Sequence, residues 1–93
     1  MSVLFHIPGY LRAFTEGRSR VDLDGSPSTV RDALAALGAI HPGVLDRVLN
    51  EQGAVRTHVN VFVGAENIRD LGGLGAAVPE GAEISIVPAV SGG

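Results

Sequence analysis

Hydrophobic and polar residues alternate in four segments of the chain, a pattern typical of strands that bury one face. These segments are residues 3–7, 20–24, 57–63 and 82–87. The third segment shows the clearest alternation, because valine occupies every second position from 59 to 63. A short run with apolar ends at residues 68–71 indicates a brief edge strand. The chain therefore predicts a sheet of four or five strands, in which a long loop over residues 8–19 joins the first two as a hairpin.

Helical spacing replaces this alternation between the second and third predicted strands. Apolar residues recur three or four positions apart over residues 30–37, which places them on one face of a helix. Thr29 and Asp32 match the capping-box pattern at its start, and Gly38 occupies the position of a left-handed C-terminal cap. A second, shorter apolar face follows at residues 44–49. We therefore expect one main helix and one short helix.

The order of these elements, two strands, helices and then further strands, predicts an α+β fold. The first and last strands are short and apolar, so they can pair as parallel neighbours at the centre of the sheet. That is the β-grasp (ubiquitin-like) arrangement, a mixed sheet with one main helix and a second short helix on one face. A chain of 93 residues supports one domain. We expect a β-grasp domain over residues 1–88 and a flexible C-terminal Gly-Gly tail over residues 89–93.

Charge and hydropathy narrow the classes of partner. The net charge is −3 and the seven cationic residues are scattered arginines, which disfavours nucleic acid and anionic membranes as partners. No apolar run approaches the roughly 18 residues of a membrane span. The first six residues have neither a basic segment nor a long apolar one, so we expect no signal peptide. The expected location is the cytoplasm.

The side chains offer little for catalysis. The chain has no cysteine, which excludes disulfides, thiolate metal sites and thiol nucleophiles. His6, His41 and His58 are far apart in sequence and lack the spacing of metal ligands. The glycine-rich run at residues 72–75 lacks the lysine and hydroxyl residue of a phosphate-binding loop, so a tight turn is expected there. We therefore predict a protein that is not an enzyme and that binds no metal or cofactor.

The C-terminal sequence offers a different chemistry. Glycine has no Cβ, so a Gly-Gly end lets the backbone pass through a channel that is too narrow for other residues. A terminal carboxylate becomes reactive once it is adenylated, and attack by a sulfur nucleophile then yields a thiocarboxylate. We expect Gly93 to carry the reacting carboxylate, with Gly92 beside it, and partner contacts at Pro88, Ala89, Val90, Ser91 and Phe62.

The sequence resembles the ThiS/MoaD family of ubiquitin-like sulfur carriers in four segments, residues 59–63, 66–69, 79–84 and 87–93. The last segment ends in Pro-x-x-x-Gly-Gly, which is the most specific of the four. Within that family the chain is most similar to the CysO-type carriers of cysteine biosynthesis, which share the Gly72-Gly73-Leu74 loop.

The resemblance implies a set of partners. An E1-like adenylating enzyme uses ATP to activate Gly93, and the resulting thiocarboxylate donates sulfur to a client enzyme. For CysO-type carriers the client is a cysteine synthase that itself binds pyridoxal phosphate (PLP), and a metalloprotease releases cysteine from the carrier. The chain would then be a protein co-substrate of these enzymes.

Three other functions stay open at this stage. The chain can be the small subunit of molybdopterin synthase, which would form a stable complex with a large subunit, or a sulfur donor for another metabolite. It can be a ubiquitin-like modifier joined to lysines of other proteins. The absence of lysine in this chain prevents copies of it from being linked to one another through side chains, but it does not forbid attachment to other proteins. It can also be a passive β-grasp interaction module whose tail has no role.

Overall fold

The structure is a computed structural model that describes residues 2–89. In that part of the chain, a five-stranded mixed sheet has the strand order β2-β1-β5-β3-β4. Strands β1 and β5 are parallel neighbours inside the sheet, whereas the other pairs are antiparallel. This topology confirms the predicted β-grasp arrangement. The strands are β1 (Ser2–His6), β2 (Arg20–Asp24), β3 (Val59–Val63), β4 (Glu66–Asn67) and β5 (Glu83–Pro88).

Two α-helices, α1 (Val30–Ile40) and α2 (Pro42–Val48), pack on one face of this sheet. Their apolar residues and the inward residues of the strands form a single core. No helix within residues 2–89 is long and apolar enough to cross a membrane. The fully buried large side chains at the centre of the core are Phe5, Leu11, Leu34, Leu37 and Ile84.

Helix α1 begins as the sequence predicts but ends later. The hydroxyl oxygen of Thr29 accepts a hydrogen bond from the backbone N–H of Asp32 at 3.2 Å, which confirms the N-terminal cap. The predicted cap at Gly38 is wrong, because α1 continues to Ile40. Gly38 lies inside the helix, where a Cβ atom would come within 2.4 Å of the Leu45 side chain of α2. The glycine therefore permits close packing of the two helices.

Two connecting segments also differ from the prediction. Residues 68–71 do not form a strand, because Glu66–Asn67 pairs with β3 and Ile68–Asp70 turns into a 3₁₀-helix. The side-chain oxygen of Asn67 starts that turn by accepting from the N–H of Arg69 at 3.0 Å. The connection between β1 and β2, expected as a loop, contains a 3₁₀-helix at Gly9–Phe14. Leu11, which is fully buried, anchors this helix in the core.

The glycine-rich run forms the expected tight turn. Gly72 and Gly73 have φ angles of 94° and 81°, a backbone region that favours glycine. Leu74, which follows them, is buried in the core. The turn therefore serves to place an apolar side chain under α1.

Candidate functional site

The base of the predicted arm is fixed on an inner strand of the sheet. Pro88, the last residue of β5, pairs with Val59 of β3. The N–H of Ala89 donates a hydrogen bond to the carbonyl oxygen of His58 at 2.8 Å. Since this bond flanks the Pro88–Val59 pair, that pair is a non-hydrogen-bonded one, and the missing N–H of proline costs no ladder bond. The backbone is therefore tied to the sheet as far as Ala89.

The predicted site residues divide into two groups. Pro88 is exposed and Ala89 is half-buried at the base of the arm. Phe62 is the fourth of the five residues of β3 and lies on the sheet face opposite the helices. The other predicted site residues, Val90, Ser91, Gly92 and Gly93, lie outside the described residues, and their roles stay predictions, as does the domain boundary at residue 89.

An apolar patch occupies the sheet face near the arm. The half-buried Phe62 pairs with Ser85 of β5, and Val87, also on β5, pairs with Asn60. Phe62 and Val87 are therefore diagonal neighbours on one face, within reach of a common contact. Val87 is 38% exposed, which is unusual for a large apolar side chain in an inner strand. We call this pair the outer patch.

Sequence reasoning named Phe62 but missed Val87. The alternation of β5 contained the signal, because Val87 shares its face with Glu83 and Ser85 and not with the buried Ile84 and Ile86. An apolar residue on an otherwise polar face is a candidate contact for a partner.

The rest of the same face is mostly polar, apart from the half-buried Leu4 of β1, and it carries two carboxylates at β2. His6 of β1 and Glu83 of β5 are paired, with 2.5 Å between Nε2 and Oε1. On β2, Asp22 and Asp24 lie on this face together with Arg20. The carboxylates on β2 and the outer patch on β5 and β3 thus lie on opposite sides of β1, an asymmetry that can orient a partner.

Side-chain chemistry remains sparse in the described part of the chain. Within residues 2–89, no three His, Asp or Glu side chains lie close enough together to hold a metal ion. What the site offers is a rigid strand that ends beside an apolar patch. Such an arrangement can present a short terminal segment to another protein.

Known proteins that are similar to this chain in sequence include sulfur carriers and protein modifiers. The sequence profile of the ThiS family matches residues 5–93. The sulfur carrier protein CysO of Mycobacterium tuberculosis is 34% identical over 95 residues, which covers all of both chains. Small archaeal modifier protein 1 of Haloferax volcanii is 42% identical over 74 residues, which covers 80% of this chain and 79% of the relative.

A solved structure agrees with these matches. A chain in the crystal structure of the Amycolatopsis orientalis BexX/CysO complex superposes with a TM-score of 0.86 at 35% identity. The superposition covers 98% of this chain and 99% of that chain. The ubiquitin-like fold is therefore shared over nearly the whole length.

Proposed function

This chain belongs to the ThiS family of sulfur carriers, and from that membership we propose that its reactive group is the carboxylate of Gly93. An E1-like enzyme would join this carboxylate to AMP from ATP and release pyrophosphate. A sulfur nucleophile such as hydrosulfide would then attack the carbonyl carbon and displace AMP. The product is a thiocarboxylate at Gly93, with one oxygen exchanged for one sulfur.

The observation that carries this proposal is the fixed base of the arm. Hydrogen bonding to β3 continues to Ala89, and four residues separate that point from the reacting group. Four residues span at most about 14 Å when fully extended. The enzyme can therefore take the terminal carboxylate only by covering the end of the molecule from which β5 leaves the sheet. The outer patch, next to this exit, would be its first contact surface.

The client that we propose is a cysteine synthase. The support is the full-length similarity to CysO, a sulfur carrier protein, and the terminal Pro-x-x-x-Gly-Gly sequence. PLP would belong to that client, and a metalloprotease would release the product from the carrier. This chain would supply sulfur as a co-substrate, so no catalytic side chain is required in it. Because the activation step consumes ATP, we expect the cycle to run in the cytoplasm.

Intact mass spectrometry tests the proposal. The purified chain is incubated with the adenylating enzyme of its own organism, ATP and sulfide. Replacement of oxygen by the sulfur nucleophile raises the mass by about 16 Da. A variant that lacks Gly92 and Gly93 is the control and should gain nothing. A second carrier protein serves to show that the enzyme is active and consumes ATP. If the enzyme is active and the mass of the wild-type chain still does not change, the proposal is refuted.

A second candidate function, protein modification, is favoured by the 42% identity to small archaeal modifier protein 1. In that case Gly93 would form an isopeptide bond with a lysine of another protein. The two functions give different products in the cell. Immunoblots of lysates would show a ladder of high-mass adducts that resists reductant if the chain is a modifier, and only the free chain if it is a carrier alone.

A further inference from the structure

Three elements meet at the end of the molecule from which the arm leaves. The parallel strands β1 and β5 both run towards this end of the sheet, and the antiparallel β3 begins there. The 3₁₀-helix Gly9–Phe14 follows β1 directly, and His58 precedes β3. Both segments are therefore placed beside the base of the arm.

A groove of about 530 Å³ lies between these segments and α2. One of its lining residues, His58, also accepts the hydrogen bond from Ala89 through its carbonyl oxygen. The groove is thus continuous with the base of the arm. We call it the arm-side groove; its lining residues are Tyr10, Phe14, Asp46, Arg47, Arg56 and His58.

The two arginines of the groove are held in place by contacts within the chain. The guanidinium of Arg47 stacks on the ring of Phe14, 3.7 Å from its centroid, and donates to the carbonyl oxygen of Gly43 at 3.1 Å. Arg56 donates from Nε and from one terminal nitrogen to the carbonyl oxygen of Asp46, at 3.1 and 2.9 Å. Side chains fixed in this way lose little conformational entropy when they bind a partner.

Charge in the groove is opposite in sign to that of the chain. The lining contains two arginines and one carboxylate, whereas the whole protein has a net charge of −3. Neither arginine forms an ion pair with a carboxylate within residues 2–89. Tyr10 adds a ring that is 47% exposed and a hydroxyl that is a donor at neutral pH, since the pKa of an ordinary tyrosine is about 10 and partial burial of Tyr10 raises its pKa further. Exposed Tyr and Arg in a concave site are the side chains that dominate protein interfaces.

We propose that the arm-side groove binds a carboxylate-bearing loop of the adenylating enzyme while Gly93 occupies its active site. The inference rests on the function proposed above. An enzyme that encloses the arm necessarily covers this end of the molecule, so the groove lies within its footprint. The carrier has a net negative charge and must approach the polyanionic triphosphate of ATP. Attractive charge pairs between the groove and the enzyme, formed away from the nucleotide, offset that repulsion and hold the carrier in a fixed orientation.

Steady-state kinetics of thiocarboxylate formation test the groove. In the double variant Arg47→Gln/Arg56→Gln, the carrier concentration that gives half-maximal rate should rise roughly tenfold to a hundredfold. The maximal rate should stay within about twofold, because the groove does not touch the reacting carboxylate. The increase should shrink as salt is raised from about 50 to 500 mM, since the lost interactions are electrostatic.

A matched control separates the groove from net charge. Arg31 and Arg69 are exposed and line a different pocket, between α1 and the segment after β4. The variant Arg31→Gln/Arg69→Gln removes the same two charges and should leave the half-saturating concentration within about twofold of wild type. If both double variants behave alike, or if only transfer to the client is impaired, the inference is wrong.

Folding and the underlying function are checked separately. Thermal melts show whether the groove variant is folded, and Tyr10→Ala provides a second probe if it is not. That substitution removes an exposed ring and should by itself raise the half-saturating concentration by about fivefold or more. Unchanged kinetics of Tyr10→Ala would then overturn the inference. A wild-type chain that gains no sulfur would instead contradict the proposed function.

Discussion

Replacing Gly38 by alanine separates local helix preference from tertiary packing. Gly38 is inside α1, and the exchange of glycine for alanine in a helix interior normally stabilises a protein by about 1 kcal/mol. Here the new Cβ would lie 2.4 Å from Cδ2 of Leu45, 2.9 Å from its Cβ and 3.1 Å from its Cγ. A rotamer change can move Cδ2 but not Cβ, so the backbones of α1 and α2 would have to separate.

The size of the effect follows from these opposing terms. Overpacking a core contact costs about 1–3 kcal/mol, and the short connection at His41 leaves the helices little freedom to move apart. We place the strain near the upper end of that range, so Gly38→Ala should lower the free energy of unfolding by about 1–2 kcal/mol. For a domain of this size each kcal/mol lowers the melting temperature by roughly 4–8 °C.

Chemical denaturation with two further variants tests this reasoning. Ala36→Gly changes an exposed residue of the same helix and so measures the difference in helix propensity between alanine and glycine without a packing contribution. It should lower the free energy of unfolding by about 1 kcal/mol. In a Leu45→Gly background, Gly38→Ala should cost at least about 1 kcal/mol less than in the wild type, because all three close atoms, including the Cβ, are gone. If Gly38→Ala stabilises the protein equally in both backgrounds, the packing argument is refuted.

Two other predictions concern the helix cap and the outer patch. Thr29→Ala removes the acceptor for the N–H of Asp32 and should lower the free energy of unfolding by about 1 kcal/mol, whereas Ser28→Ala, next to it, should have little effect in the same denaturation assay. Phe62→Ala should raise the carrier concentration for half-maximal thiocarboxylation by roughly tenfold without lowering the maximal rate. An unchanged value for Phe62→Ala would exclude the outer patch from the interface with the adenylating enzyme.

The sheet could be predicted from the sequence because local patterns determine it. Alternation marked each long strand and its buried face, as in Val59 and Val61, which are buried while Phe62 faces outwards. The apolar character of β1 and β5 also predicted their parallel pairing. The N-terminal cap of α1 was predictable for the same reason, since Thr29 and Asp32 are only three residues apart.

Features that depend on distant contacts were not predictable in this way. Gly38 has the local signature of a helix end, but its role depends on Leu45 in the next helix. The arm-side groove depends on the stacking of Arg47 on Phe14, residues that are far apart in sequence. No periodicity or motif in one sequence marks such a pair, so the groove became visible only in the folded chain.

The most direct test of the central claim compares two chains that differ at one end. The wild type and a variant with one alanine added after Gly93 are each incubated with the adenylating enzyme, ATP and sulfide, and weighed intact by mass spectrometry. We predict a gain of about 16 Da for the wild type, from attack of the sulfur nucleophile, and no gain for the extended chain. Sulfur on the extended, uncut chain would contradict the claim that the carboxylate of Gly93 is the reactive group.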